Sequence, residues 1–244
     1  MAKFKSLYFL IIITYIIALT CNYLLPVRDN LKTLNEQIDP LFKPAGFAYS
    51  IWFLIFLLLL IWFFRVRDEP ELVEDIGFWL PANFLLNALW IFLFTSGAFF
   101  WSLVDMVLIL ITLIVIYRKI QHTTYRSFLL RFPFSIYLGW ISVATIVNLF
   151  LTLRVYGIYS ILGLSEWFWT LLLLLVVGYF GLYMIVRQQD IAYAFVTLWS
   201  YLAILIERGG YPFIPYTCWI MIGILSIFIA WKLVDRLHIG EAGR

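Results

Sequence analysis

The chain has 244 residues, 64% hydrophobic, 20% aromatic and only 13% charged, with a mean hydropathy of +0.98. That composition excludes an ordinary water-soluble domain, and a formal charge of +3 scattered among connections argues against a nucleic-acid surface. What remains is an all-α, polytopic transmembrane helix bundle, because a backbone in lipid must satisfy its own hydrogen bonds and each crossing takes roughly 20 apolar residues.

Eight spans are predicted, at 6–25, 46–64, 77–96, 99–117, 134–153, 166–186, 190–207 and 216–234. The opening MAKFK and its apolar run resemble a signal peptide, but no small-residue cleavage site precedes Asn22 to Pro26, so the segment reads as a retained first span. RVRDEPELVED at 65–75 reads as a polar connection. The turn around Gly97 is short enough to force the third and fourth spans into an antiparallel hairpin. RVYGIYSILGLS at 154–165, with two glycines, separates five spans (1–153) from a three-span extension (154–244). Twelve Lys and Arg, among them Lys5, Arg67, Arg118 and Lys232, fall on the side of the termini and five on the other, which predicts both termini in the cytoplasm. Asp190 and Glu207 fall near span ends, where snorkelling to the interface is expected.

Three spans carry stripes of large aromatics with a few hydrogen-bonding groups. Asn83, Asn87, Trp90 and Phe94 share one helical face, as do Tyr49, Trp52, Phe56 and Phe63, and Tyr137, Trp140, Ala144 and Asn148. Such stripes serve either as interhelical glue or as the wall of a pocket for a flat, apolar guest. Asp105 is an intramembrane acid some six residues into the fourth span, and needs a partner or a path to water. Cys21 and Cys218 lie inside apolar runs without metal-ligand spacing, and His122 and His238 have no nucleophile or carboxylate pair beside them. No catalytic residue, metal or cofactor is expected, and no nucleic-acid partner.

Lys43-Pro44-Ala45-Gly46 ahead of Ile51-Trp52, Leu86-Asn87 with Trp90, Leu103-Val104-Asp105 and the run from Tyr137 to Asn148 follow one another in the chain, and in series they resemble the tryptophan-rich sensory protein family (TspO/MBR), which includes the translocator protein or peripheral benzodiazepine receptor. Lys43-Pro44-Ala45-Gly46 with Ile51-Trp52 is similar to the family's Pro-Pro-Gly loop and following Val/Ile-Trp. Leu86-Asn87 with Trp90 resembles its third helix, Leu103-Val104-Asp105 the opening of its fourth, and Tyr137 to Asn148 its Tyr-Leu-x-Trp-x-x-x-Ala-Thr-x-x-Asn pattern. Ala45 replaces the second proline, Phe42 stands where the loop often has Trp, and Ile136 stands where Pro usually precedes Tyr137. The resemblance covers about residues 6–153.

The resemblance implies a five-helix bundle whose cavity binds porphyrins, sterols or benzodiazepine-like ligands. It implies that Trp52, Asn83, Asn87, Trp90, Trp140 and Ala144 line that cavity beneath a cap at 26–45 containing Phe42 and Pro44, next to Gly46. The stripes add Tyr49, Phe56, Tyr137 and Asn148. The expected function is a receptor or sensor for a planar hydrophobic, tetrapyrrole- or sterol-like ligand in a multi-pass protein of the bacterial cell membrane. The alternatives are a transporter of such ligands, or a weak light-dependent porphyrin breakdown using Trp52 and Trp140. The expected partners are the bilayer and a porphyrin-like ligand; the added spans could form a second wall, a homodimer contact or a partner site.

Overall fold

The computed structural model describes residues 2–24, 38–122 and 128–242. Arg28, Lys32, Arg126, Arg244 and most of the connection 26–45 lie outside the described residues, as do the side chains of Lys3, His122, Arg236 and His238. The described chain is helical apart from one small hairpin. Its helices are α1 (Ala2–Leu24), α2 (Ile51–Val66) entered through a 3-10 turn at Gly46–Ser50, α3 (Pro70–Ile76), α4 (Trp79–Thr95), α5 (Phe99–His122), α6 (Phe128–Val155), α7 (Glu166–Val186), α8 (Ile191–Arg208) and α9 (Ile214–Ala242). Seven are long and apolar enough to cross a membrane, and α3 with α4, bent by 57°, makes an eighth if taken as one span.

Predicted boundaries move: α5 continues to His122 and α9 to Ala242, and two further changes have a physical reason. RVRDEPELVED does not stay a loop. Pro70 occupies the first helical turn, where its missing N–H costs nothing, and Leu72, Val73 and Ile76 turn inward at helical spacing to make α3. Gly77, at φ +59°, ends α3, its N–H bonding the Val73 carbonyl, and permits the bend into α4. The fifth span begins at Phe128 rather than at 134, running through Pro133. A proline in the second turn removes only one of the bonds that the remaining turns supply.

The contacts divide the chain into two compact units, one made of Met1–Pro40 and Ser50–Ile158, the other of Leu41–Tyr49 and Tyr159–Arg244. In the first, α4 packs on α1 and α5, α6 packs on α5 and α2, and α3 lies against α1 and α5. Gly97, at φ +80°, closes the α4–α5 hairpin. Lys119 pairs with Asp75 at 3.1 Å, fixing the end of α5 to α3. Tyr8 and Tyr15, seven residues apart, donate to the carbonyls of Phe63 (2.9 Å) and Phe56 (2.7 Å), also seven apart. The two helices therefore run antiparallel in register, bridged by phenols that use the second lone pair of helical carbonyls.

In the second unit, α7, α8 and α9 all pack on one another. Ser160–Ile161 and Leu164–Ser165 form a hairpin before α7, turning through Leu162 and Gly163 at φ +53° and +75°. Trp169 Nε1 donates to the Ile161 carbonyl at 3.1 Å and holds the hairpin to α7. Asp190 is not an interfacial snorkeller: it is 1% exposed and caps α8, accepting from the N–H groups of Ala192 (3.0 Å) and Tyr193 (3.3 Å).

Close approach of α7 to its neighbours depends on Gly178 and Gly181. A Cβ on Gly178 would come within 2.6 Å of Met221 Sδ and 2.8 Å of Tyr201 Oη, and Tyr201 donates to the Leu174 carbonyl. Gly178→Ala is therefore expected to destabilise the protein by about 1–3 kcal/mol, overcoming the roughly 1 kcal/mol that alanine gains in helix propensity. Gly223→Ala in α9, where a Cβ meets nothing within 4 Å, should instead be neutral or stabilising. Thermal unfolding of the two variants in detergent checks the contrast.

Candidate functional site

The predicted site residues do not form a single wall. Four of them, drawn from three helices, meet in the first unit. Asn87 of α4 donates to Tyr137 Oη of α6 at 3.4 Å and accepts from Asn22 Nδ2 of α1 at 2.7 Å. One helical turn along α4, Trp90 stacks on Trp52 of α2, with ring centroids 6.5 Å apart and planes at 26°. Trp52 also meets Tyr137 edge-on at 5.9 Å. An amide, a phenol and two indoles thus converge, with both tryptophans half-buried and Asn87 and Tyr137 buried. Phe56 lies beside Trp52 at 6.0 Å, but it also packs against Tyr15 at 5.8 Å.

Asn83 and Asn148 are joined to other helices instead. Asn83 Nδ2 donates to the Ile109 carbonyl (3.0 Å) and Thr112 Oγ1 (2.8 Å), tying α4 to α5. Asn148 Oδ1 accepts from Ser102 and Thr152, each at 3.3 Å, tying α5 to α6. Trp140 is buried and Ala144 half-buried, one and two turns along α6 from Tyr137.

Asp105 is 3% exposed, and neither carboxyl oxygen has a hydrogen-bond partner among the described residues. The antiparallel register places it. Asn83 bonds Ile109, so Asp105, four residues back on α5, lies level with Asn87, four residues on along α4. Other buried polar atoms in this unit also have no partner among the described residues: Asn83 Oδ1, Trp90 Nε1, Asn148 Nδ2 and Trp62 Nε1. Buried polar atoms are nearly always hydrogen-bonded, so these atoms stand out within the bundle.

Tyr49 and the cap residues belong to the second unit, with partners that no sequence motif supplies. Phe42 is 1% exposed and Pro44 is buried. Leu41 N donates to Glu166 Oε1 at 2.6 Å, Ala45 N to the Ala203 carbonyl at 3.0 Å, and Trp199 Nε1 to the Ala48 carbonyl at 3.2 Å. Lys43 pairs with Glu207 at 3.8 Å, and Phe47 meets Trp199 edge-on at 5.0 Å. Gly46 is exposed, with nothing within 4 Å of an added Cβ. The segment is thus fastened to α7 and α8.

Asn22, which bonds Asn87, and Thr112, Ser102 and Thr152, which serve the interhelical links of Asn83 and Asn148, are residues that the sequence reading passes over. Asn22 carried a legible signal, since Tyr8, Tyr15 and Asn22 recur every seven residues along α1. The serine and threonines carried none, because all three also bond carbonyls of their own or a neighbouring helix.

A family model described as TSPO-like protein matches residues 8–231. The match runs through α7 and α8 and into α9, so the last three helices are part of the matched pattern, beyond the limit near residue 153 set by the motifs. Comparison with curated proteins and with solved structures returns no match.

Proposed function

The chain belongs to the TSPO-like protein family, and from that membership we propose that its first unit is a membrane receptor or sensor for a planar hydrophobic ligand of tetrapyrrole or sterol kind. The observation that carries the reading is the meeting of Trp52, Trp90, Tyr137 and Asn87, level with Asp105, whose carboxyl has no hydrogen-bond partner among the described residues. Indole faces offer a flat guest stacking, and the amide, phenol and carboxyl fix its polar edge. Multi-pass membrane residence follows from the spans. The cytoplasmic placement of both termini and the bacterial cell membrane are part of the proposal, resting on the charge bias and the motif resemblance.

The reading is of a binding protein. It contains no turnover step, and product formation from a bound porphyrin in the dark would replace it with an enzymatic one. Titration of the purified protein with protoporphyrin, followed by the porphyrin's own absorbance, should saturate. Trp52→Leu is expected to weaken binding by roughly tenfold, the loss of one aromatic stacking partner, and Trp140→Phe by less. Saturable binding indifferent to both substitutions would defeat the assignment of the site. Counterflow in proteoliposomes tests carriage separately.

A further inference from the structure

We propose that the cavity between the start of α1 and the end of α2 is a binding site for the headgroup of an anionic glycerophospholipid. This cavity, about 420 Å³, is lined by Phe4, Lys5, Tyr8, Phe64 and Arg67. The membrane span of α1 begins at Phe4 and that of α2 ends at Val66. In two antiparallel spans those ends share one face of the bilayer, so Lys5 and Arg67 stand together at the same boundary between hydrocarbon and water.

Both cations are exposed, and neither makes an ion pair among the described residues, although Asp68 and Glu69 follow Arg67 directly. Lys119, by contrast, is neutralised by Asp75. The remaining walls are aromatic. Phe4 stacks on Tyr8 with centroids 5.6 Å apart and planes at 27°, and Phe64 is 66% exposed. The Tyr8 hydroxyl is committed to the Phe63 carbonyl, which leaves its ring as wall.

A cavity with two uncompensated cations at its wet end and three aromatic rings beside them suits a molecule with an anionic head on an apolar body. The arginine fork matches a phosphate in two-point fashion and the lysine adds a point charge. Free phosphate would leave the rings in water. A zwitterionic lipid presents the same phosphate but brings an ammonium group toward two cations, so charge complementarity selects the anionic lipid.

The test uses the full chain in mixed detergent and lipid, with retained lipids counted by native mass spectrometry. Wild type should retain phosphatidylglycerol over phosphatidylcholine, and Lys5→Gln with Arg67→Gln should reduce that preference by roughly 10- to 30-fold, the effect of two cations near a membrane surface. Arg118→Gln, an exposed cation of α5 away from this cavity, should leave it unchanged, and Lys5→Gln alone should give an intermediate loss. Equal retention of the two lipids by wild type, or a preference that survives the double substitution, overturns the proposal. Displacement by millimolar inorganic phosphate regardless of the lipid offered would also overturn it, in favour of a free-anion site.

Discussion

Replacing Asp105 by leucine should stabilise the ligand-free protein by about 1–3 kcal/mol and weaken its affinity for a planar hydrophobic ligand roughly tenfold or more. The two effects share one cause. The carboxyl is 3% exposed and neither oxygen has a hydrogen-bond partner among the described residues, so in either charge state it has surrendered its bonds to water without replacement there. Leucine fills similar space with no group to satisfy. If the carboxyl is kept for a guest, that gain in stability comes with a loss of recognition, whereas a purely structural residue would lose stability on replacement. Asp105→Asn, which keeps the shape and adds a donor, should fall between. Thermal unfolding without ligand and porphyrin titration of the same preparations decide the matter. A leucine variant that is destabilised and binds normally would make Asp105 a structural link.

Asn87→Leu should do the opposite to stability and the same to binding. It removes the 2.7 Å bond from Asn22 and the 3.4 Å bond to Tyr137, leaving an amide and a phenol to find other partners inside the bundle. Interhelical hydrogen bonds in membranes contribute about 0.6 kcal/mol on average and up to about 1.7. The expected destabilisation is therefore about 1–2 kcal/mol, softened because Asn22 retains its 2.8 Å bond to the Ala18 carbonyl. Affinity should fall roughly tenfold, because Tyr137, which meets Trp52 edge-on, loses the bond that orients it. A double-mutant cycle of Asn22→Ala with Asn87→Ala should show coupling of about 0.5–2 kcal/mol. Asn83→Leu serves as the comparison. Its amide also makes two bonds, to Ile109 and Thr112, so stability should fall while the stacked pair of Trp52 and Trp90 keeps its support.

How much of this was legible varied with the physics of each feature. The spans could be read because hydropathy is a local, additive property, and seven helices of sufficient length and apolarity, with the bent α3–α4 pair beside them, follow the same order as the eight predicted segments. The tight hairpin at Gly97 was legible for the same reason. The helix α3 was hidden because its charge density, in Glu71, Glu74 and Asp75, outweighs three buried apolar side chains in any hydropathy reading. The early start of α6 was hidden because a proline reads as a boundary until its place in the turn is known.

For the candidate site, helical periodicity established which residues share a face. It could not say which helix that face meets. Asn83, Asn87 and Asn148 look alike in sequence, amides on aromatic stripes, yet the first and last are spent on neighbouring helices while Asn87 joins Tyr137 and the tryptophan pair. Composition and order along the chain by themselves determined a polytopic helical membrane protein with aromatic stripes and one intramembrane acid, since burial in lipid and the 3.6-residue turn are properties of each segment alone. Only the tertiary structure decided that Asn22 completes the Asn87 network, that Asp105 has no partner among the described residues, and that Leu41–Tyr49 is held by α7 and α8. Those are matters of register and contact between segments distant in the chain, which no local pattern encodes.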